Sequence, residues 1–176
     1  EERKQRQAIR EKNQAKKAQT IDGLIECFSD DPVKFEEWCA DLLQRNGYQV
    51  AVTPPSRDGG YDLEFRDLEG RAGLAECKCF NVKHKVGRPL IQKLVGANVS
   101  KKAERLLFMT TSSFTPDAYE YAREAKVELL DGSSLVGLNK QGRSDALEVS
   151  PTSWMLSWED LAAMYPPDLP PGHFGF

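Results

Sequence analysis

The chain has 176 residues, of which 40% are apolar and 29% charged, and its formal net charge is −3. This composition predicts one soluble globular domain with a sizeable core. No apolar run approaches the roughly 20 residues that a membrane helix needs, and the overall charge does not by itself indicate nucleic-acid binding.

The four cysteines, Cys27, Cys39, Cys77 and Cys79, lie inside apolar patterns. This favours buried thiols in a reducing compartment. A zinc site is disfavoured, because a second Cys/His pair at ligand spacing is missing and the two histidines are far apart. We therefore expect a cytoplasmic protein. The chain begins with Glu1 rather than Met, so we expect an upstream region of the same protein to be missing. Whether that region holds a membrane anchor stays open.

The chain is predicted to open with a polar helical linker and lead-in segment over residues 1–28. Its first 20 residues carry seven basic and three acidic side chains among good helix formers, and the apolar segment 21–28 is expected to dock on the core. An Asp-Pro pair at 31–32 then begins an amphipathic helix, which the Asn-Gly pair at 46–47 ends.

A strand over 48–53 precedes a predicted β-hairpin with strands at 61–66 and 71–80. The turn between the hairpin strands has an acidic residue first and a glycine last, as turns often do. A turn centred there places Asp62 nearly opposite Glu76, and residues opposite each other on paired strands have Cβ atoms roughly 4.5–5.5 Å apart.

Asp62, Glu76 and Lys78 are the predicted reactive cluster. Two carboxylates at that separation can share one Mg²⁺ ion, and side-chain alternation places Lys78 on the same face as Glu76. The alternative is a surface ion-pair group of little energetic value. Small and apolar neighbours such as Leu74 and Cys77 argue against it, because a buried charge is costly unless it is paired or bound to metal.

The rest of the chain alternates helices and strands. After a polar loop, a helix is predicted from Gly87 onward, then a buried strand over 105–110, a helix from Thr115 to about Ala125 and a strand over 127–130. A last short helix follows Asp131-Gly132. A polar loop is predicted over 139–145, and 141–176 is predicted to be a tail containing Pro and Trp. In that tail, packing of Trp154 and Trp158 on the domain is favoured over binding a partner.

A strongly basic run follows the hairpin. Residues 78–105 hold eight basic side chains and one acid, Glu104, which is a local balance of +7. Such clusters contact nucleic-acid phosphates, although charge runs are usually solvated faces. Adjacency to the carboxylate pair favours DNA binding. The predicted DNA-binding residues are Lys83, Lys85, Arg88, Lys93, Lys101 and Lys102.

Several polar residues near this region have two interpretations. His84 is expected to be a surface or phosphate-contacting residue rather than a general base. The hydroxyls of Thr111, Ser112 and Ser113 suit either phosphate binding or the cap of the next helix. Asp58 is expected to be a turn residue rather than a metal ligand acting through water.

The motif residues resemble those of a known superfamily. Gly59-Gly60-Tyr61-Asp62 followed by Glu76-Cys77-Lys78 resembles the core of the PD-(D/E)xK nucleases, and the chain is most similar to Mrr-like restriction endonuclease domains. The domain suggested by the resemblance is 29–140, and the likeness covers about residues 33 to 138. Further matching stretches are Phe35-Glu36, 46–50, 86–89, 110–115 and 129–132. In two departures, Tyr61 replaces the usual Pro, and Glu76 stands where many Mrr-like domains carry Gln.

The resemblance implies an α/β fold with a restriction-endonuclease-like core, a central mixed β-sheet flanked by helices. It implies hydrolysis of DNA with Mg²⁺, or with Mn²⁺ as a substitute, and it implies that Asp62 and Glu76 are the metal ligands. Lys78 would orient or deprotonate water, or stabilise charge on phosphorus, and both roles stay open. Glu36 would reach the metal site from its helix. The family cuts DNA, often modified DNA, in host defence, commonly as a homodimer or higher homo-oligomer.

Three functions stay open at this point. The first is a Mg²⁺-dependent DNA endonuclease of restriction or defence type within a larger protein. The second is a Holliday-junction-resolvase-like or repair nuclease, which would prefer junctions to linear duplex. The third is a catalytically inactive DNA-binding module, against which the intact set of Asp62, Glu76 and Lys78 argues.

Overall fold

A computed structural model of the chain describes residues 2–54 and 59–141. Within these ranges the elements are, in chain order, α1 (Glu2–Lys17), α2 (Ile21–Phe28), α3 (Pro32–Arg45), β1 (Gln49–Val52), β2 (Leu63–Arg66), β3 (Ala72–Lys78), α4 (Arg88–Lys101), β4 (Arg105–Thr110), α5 (Pro116–Ala125), β5 (Val127–Leu130) and α6 (Gly132–Gln141). Asp58 and nearly all of the predicted tail, including Trp154 and Trp158, lie outside the described residues. None of the helices in the described part of the chain is long and apolar enough to cross a membrane.

The strands form a mixed sheet in the order β1-β2-β3-β4-β5. β1, β2 and β3 pair antiparallel, whereas β3, β4 and β5 pair parallel. Helices α4 and α5 connect the parallel strands, because such a pair requires a long crossover connection. The predicted α/β fold with a central mixed sheet flanked by helices is confirmed.

Two cores lie on opposite faces of this sheet. One is formed with α2, α3 and α6 and includes the fully buried Leu24, Phe28 and Leu135. The other is formed with α4 and α5 and includes Ile91 and Ala118. Burying each large apolar side chain contributes about 1.5–3 kcal/mol. The predicted docking of the short apolar segment on the core is confirmed, because it forms α2.

The helix starts follow from local capping chemistry. Asp31 accepts a hydrogen bond from the Lys34 backbone N–H at 3.2 Å, and a proline opens α3. Thr115 does the same for the Ala118 N–H at 3.2 Å, again just before a proline. These bonds satisfy donors that a helix cannot pair internally. Both predicted starts are confirmed.

Two predicted boundaries are wrong. The hairpin strands are shorter than predicted, because Asp62 precedes β2 and β3 ends at Lys78. The polar loop predicted over 139–145 begins too early, because residues 139–141 are the last turn of α6; residues 142–145 lie outside the described residues. Asn139 is buried in that turn, with its Nδ2 donating to the Ala18 carbonyl at 2.8 Å and its Oδ1 accepting from Arg45 at 3.1 Å. A polar residue with both amide groups satisfied is compatible with burial.

Candidate active site

The hairpin register brings the two predicted carboxylates together. Leu63 pairs with Ala75, so Asp62 comes opposite Glu76, as the turn position predicted. The backbone of Asp62 is held from both sides: its N–H donates to the Ala75 carbonyl at 2.8 Å, and its carbonyl accepts from Thr53 at 2.8 Å. Asp62 is therefore fixed between β1 and β3 although it precedes β2.

Lys78 contacts both carboxylates. Its Nζ lies 2.7 Å from Oε1 of Glu76 and 3.3 Å from Oδ2 of Asp62, and it donates to the Cys77 carbonyl at 3.0 Å. The same Asp62 oxygen accepts from the Cys77 backbone N–H at 2.7 Å. The structure thus unites the three residues of the predicted cluster at the end of β3.

Burial gives this cluster unusual electrostatics. The Glu76 side chain is 3% exposed, and its Oε2 is buried without a hydrogen-bond partner. Burial raises the pKa of Glu76 even though the hydrogen bond from Lys78 acts against it. Burial lowers the pKa of Lys78, but its bonds and charge attraction to Glu76 and Asp62 outweigh that, so the net pKa is raised. Lys78 is therefore held as an ammonium ion.

Glu36, on α3, is influenced by the charges of the cluster. Burial and the charge of Asp62 raise the pKa of Glu36 to about 7, while Lys78 acts in the opposite direction. Its half-buried side chain thus lies within electrostatic reach of the cluster. Its neighbour Glu37 is exposed, which separates two adjacent glutamates that the sequence alone treats alike.

The donor set suits a hard divalent cation. In the described part of the chain, three or more His, Cys, Asp or Glu side chains nowhere converge closely enough to hold a metal ion. Mg²⁺, however, is commonly bound by one or two carboxylates, with water and substrate phosphates completing its shell. Asp62 and Glu76 provide such a pair, and the unpaired Oε2 of Glu76 is a buried acceptor that a cation would satisfy. A buried acceptor left unsatisfied costs about 1–3 kcal/mol.

The hydroxyls at the end of β4 hold the backbone that follows Glu76. Thr110 Oγ1 donates to the Lys78 carbonyl at 2.8 Å, and Thr111 Oγ1 donates to the Phe80 carbonyl at 2.7 Å. Ser112 Oγ donates to the Val82 carbonyl at 3.3 Å. The cap alternative for these hydroxyls is wrong, because the cap of α5 is Thr115, whereas Thr111 and Ser112 donate to backbone carbonyls. The sequence shows three hydroxyl residues after a buried strand, but it does not show which backbone groups these hydroxyls bond to.

The predicted DNA-binding residues do not form one patch. Lys83 and Lys85 are exposed on the loop that follows Lys78. Arg88, at the start of α4, pairs with Asp117 at 3.1 Å. Lys93 lies in the middle of α4, where its Cε would be 3.6 Å from a Cβ placed on Gly60.

Two predicted DNA-binding residues lie at the other end of α4. Lys101 pairs with Glu64 at 2.9 Å and lies over the Tyr61 ring, and Lys102 caps the helix. A helix of 14 residues is about 21 Å long, and this end leads into Arg105, the first residue of β4. Lys78 lies beside Thr110, the last residue of β4, in the strand register, and so at the opposite end of that strand. The basic run is thus spread along the sheet rather than gathered at the cluster.

Comparison with known proteins gives consistent matches. Residues 29–139 match the family model Mrr_cat, described as a restriction endonuclease. The type IV methyl-directed restriction enzyme EcoKMrr of Escherichia coli K12 is 31% identical over 152 residues, a match that covers 80% of this chain and 48% of that protein. The chain thus spans about half the length of this relative.

Two solved restriction endonucleases have similar folds. The DNA modification-dependent restriction endonuclease AspBHI superposes with a TM-score of 0.60 at 22% identity, covering 87% of this chain and 41% of that one. The MspJI restriction endonuclease in complex with a 27-mer oligonucleotide gives a TM-score of 0.54 at 16% identity, covering 82% and 34%. These likenesses confirm that the core is restriction-endonuclease-like.

Proposed function

Because the chain belongs to the Mrr_cat family of restriction endonucleases, we propose that it is the nuclease domain of a larger DNA-cleaving protein and hydrolyses phosphodiester bonds with Mg²⁺ or Mn²⁺. The observation that carries this proposal is the cluster of Asp62, Glu76 and Lys78, with a buried carboxylate oxygen left unpaired. We assign the nuclease activity to residues 29–140, with 1–28 as a linker and lead-in segment and 141–176 as a tail.

Each residue of the cluster has a distinct proposed role. Asp62 and Glu76 would hold the cation, which when bound polarises a phosphate and lowers the pKa of bound water. Lys78 donates hydrogen bonds and stabilises negative charge on the phosphate, a role that its raised pKa favours over that of a base. Glu36 adds a third carboxylate at the edge of the site, where it orients water or ligand once it is ionised.

The names of the relatives guide the proposal for the substrate. EcoKMrr is methyl-directed and AspBHI is DNA modification-dependent, so we propose modified DNA in host defence, with recognition by the upstream region. The backbone phosphates would contact Lys83, Lys85, Arg88 and Lys93, and outlying DNA would contact Lys101 and Lys102. Two copies, as a homodimer or higher oligomer, would be needed to cut both strands. The DNA substrate and the free thiols fit a cytoplasmic location.

Plasmid cleavage tests the function and the site together. Supercoiled plasmid, unmodified or methylated, is incubated with wild-type protein in Mg²⁺, Mn²⁺ or EDTA, alongside Lys78→Ala and the matched control Lys126→Ala, an exposed lysine at the end of α5. We expect metal-dependent nicking that Lys78→Ala reduces at least about 100-fold, as loss of a transition-state contact does, and that Lys126→Ala retains.

The alternatives predict different results in the same assay. Cleavage that survives Lys78→Ala would refute the proposed site. DNA binding without cleavage under any of these conditions would favour a binding module. Faster cleavage of a four-way junction than of linear duplex would favour a junction resolvase.

A further inference from the structure

The segment that follows Lys78, residues 80–86 and here called the 80–86 loop, is held rigidly. The Phe80 N–H donates to Thr111 Oγ1 at 2.8 Å, and that hydroxyl donates back to the Phe80 carbonyl at 2.7 Å. At the far end, the Val86 N–H donates to the Ser113 carbonyl at 2.8 Å, and the Val86 carbonyl accepts from Thr115 at 2.9 Å. Both ends of the loop are thus fastened to the segment after β4.

The tip of the loop is ordered by its own turn. The Asn81 side chain accepts from the Lys83 N–H at 3.0 Å, and the Asn81 carbonyl accepts from the His84 N–H at 2.8 Å. The Val82 carbonyl accepts from Ser112 Oγ at 3.3 Å. These bonds fix the backbone before any partner arrives, so the loop loses little conformational entropy on binding.

This ordered tip exposes an apolar side chain between charged and aromatic ones. Val82 is 45% exposed, and Lys83 and Lys85 are exposed beside it. The His84 ring stacks on Phe80 at a centroid distance of 4.5 Å and an angle of 28°. An isolated exposed valine needs no explanation. Here, however, the valine lies on an ordered tip between exposed lysines, in a loop that begins two residues after Lys78 of the site, and this combination calls for a function.

We infer that the 80–86 loop enters the minor groove of duplex DNA beside the phosphate to be cleaved, with Val82 against the groove and Lys83 and Lys85 on the flanking phosphates. The inference rests on the proposed function. The minor groove is about 6 Å wide, whereas the major groove, about 12 Å wide, accepts a helix or a two-stranded ribbon. Minor-groove proteins combine basic and amide side chains with an inserted apolar one, and Asn81, Val82 and Lys83 supply that combination.

The phosphate contacts are tested by the salt dependence of binding. Fluorescence anisotropy with a labelled duplex in EDTA measures affinity without cleavage. The slope of log K against log salt is negative, and each lost phosphate contact makes it less steep by about 0.9. Lys83→Ala/Lys85→Ala should therefore make the slope less negative by about 1.8. The control Arg123→Ala/Lys126→Ala removes two exposed charges from the end of α5 and should leave the slope unchanged. Equal slopes for the two double variants would overturn the inference.

The groove contact is tested by three single variants and a competitor. Val82→Ser should weaken binding about tenfold, the loss expected when a valine is no longer buried, and netropsin on an A·T-rich duplex should compete with wild type. Thr111→Val should weaken binding about threefold to tenfold by releasing Phe80, whereas Thr111→Ser, which keeps the hydroxyl, should restore it. Unchanged affinity of Val82→Ser, or no competition by netropsin, would overturn the minor-groove assignment.

The two proposals fail in different ways. If Lys78→Ala abolishes cleavage but the loop variants bind DNA like wild type, the loop inference is wrong and the nuclease assignment stands. If wild-type protein binds no DNA in EDTA and cleaves none with metal, both are wrong.

Discussion

Replacing Lys78 by methionine should destabilise the metal-free domain. The ammonium is bonded to a carboxylate that is 3% exposed, at 2.7 Å, and approaches a second at 3.3 Å. Removing one partner of a buried ion pair costs about 3–5 kcal/mol. The Lys78 side chain is itself 28% exposed, so water can reach the site, and we expect a smaller loss of about 2–3 kcal/mol in the free energy of unfolding at pH 8.

The loss of unfolding free energy should be smaller at low pH if the unpaired Glu76 carboxylate causes it. Burial already raises the pKa of Glu76, and without Lys78 that pKa rises further. A carboxyl group whose pKa is higher in the folded than in the unfolded state favours folding at low pH, and this benefit declines as pH rises above the unfolded value. Lys78→Met should therefore lie close to wild type at pH 5 and well below it at pH 8.

Urea unfolding followed by circular dichroism, in EDTA at pH 5 and pH 8, measures both effects. Lys126→Met is the matched control. The double variant Lys78→Met/Glu76→Gln should recover most of the loss, because the Glu76 side chain, the more buried of the two carboxylates, is then neutral, and Asp62 still accepts a hydrogen bond from the Cys77 N–H. A loss under about 0.5 kcal/mol at pH 8, the range of ordinary surface substitutions, or the same loss at both pH values would refute the reasoning.

Three further predictions follow from single residues. Mn²⁺ affinity measured by calorimetry should rise with pH through about 7, because burial and the charge of Asp62 raise the pKa of Glu36 to about 7, and its ionised carboxylate then adds negative charge that attracts a cation held by Asp62 and Glu76. Glu36→Gln should flatten this dependence near pH 7, whereas Glu37→Gln, which removes an exposed carboxylate, should not. Hydrogen bonds from two arginines outweigh burial and hold the pKa of Asp67 at about 2, so its stabilisation is complete above about pH 4 and lost towards pH 2. Asp67→Asn should flatten that part of an acid-unfolding curve. Gly73→Ala would place a Cβ 2.1 Å from a phenylalanine ring and should cost at least about 1–3 kcal/mol in urea unfolding, whereas Gly96→Ala, with nothing within 4 Å, should stabilise α4 by about 0.5–1 kcal/mol.

The elements that local chemistry specifies were predictable. The Asp-Pro and Thr-Pro pairs at the starts of α3 and α5 act through bonds within four residues. The apolar centre of β4, residues 106–109, is buried as predicted. The hairpin turn placed Asp62 opposite Glu76 because register follows from turn position. The helical position of Asn139 could not be predicted in this way, because the residues that its side chain bonds to, Ala18 and Arg45, come from distant parts of the chain.

The basic run shows why proximity in sequence was a poor guide to the surface. Eight basic residues in one stretch indicated contact with DNA phosphates, but half of that stretch is the 14-residue helix α4, which places Arg88 and Lys101 at its opposite ends. Arg105, the last of the run, is buried and bonds to Asp67 and Glu128. Only the structure shows that Arg105 is buried in ion pairs, whereas Lys83 and Lys85 face solvent.

The two charged clusters on this sheet differ in how completely they are satisfied. At one end, the Asp67 carboxylate accepts hydrogen bonds from two arginine side chains and from the backbone N–H groups of Glu69 and Arg71. At the other end, Glu76 is equally buried but leaves Oε2 unpaired. A structural carboxylate is stabilised by completing its hydrogen bonds, whereas a ligand site must keep an acceptor available. This difference favours Glu76 over Asp67 as the carboxylate that binds a cation. The sequence cannot reveal it, because both residues are acids in or beside the strands of the same hairpin.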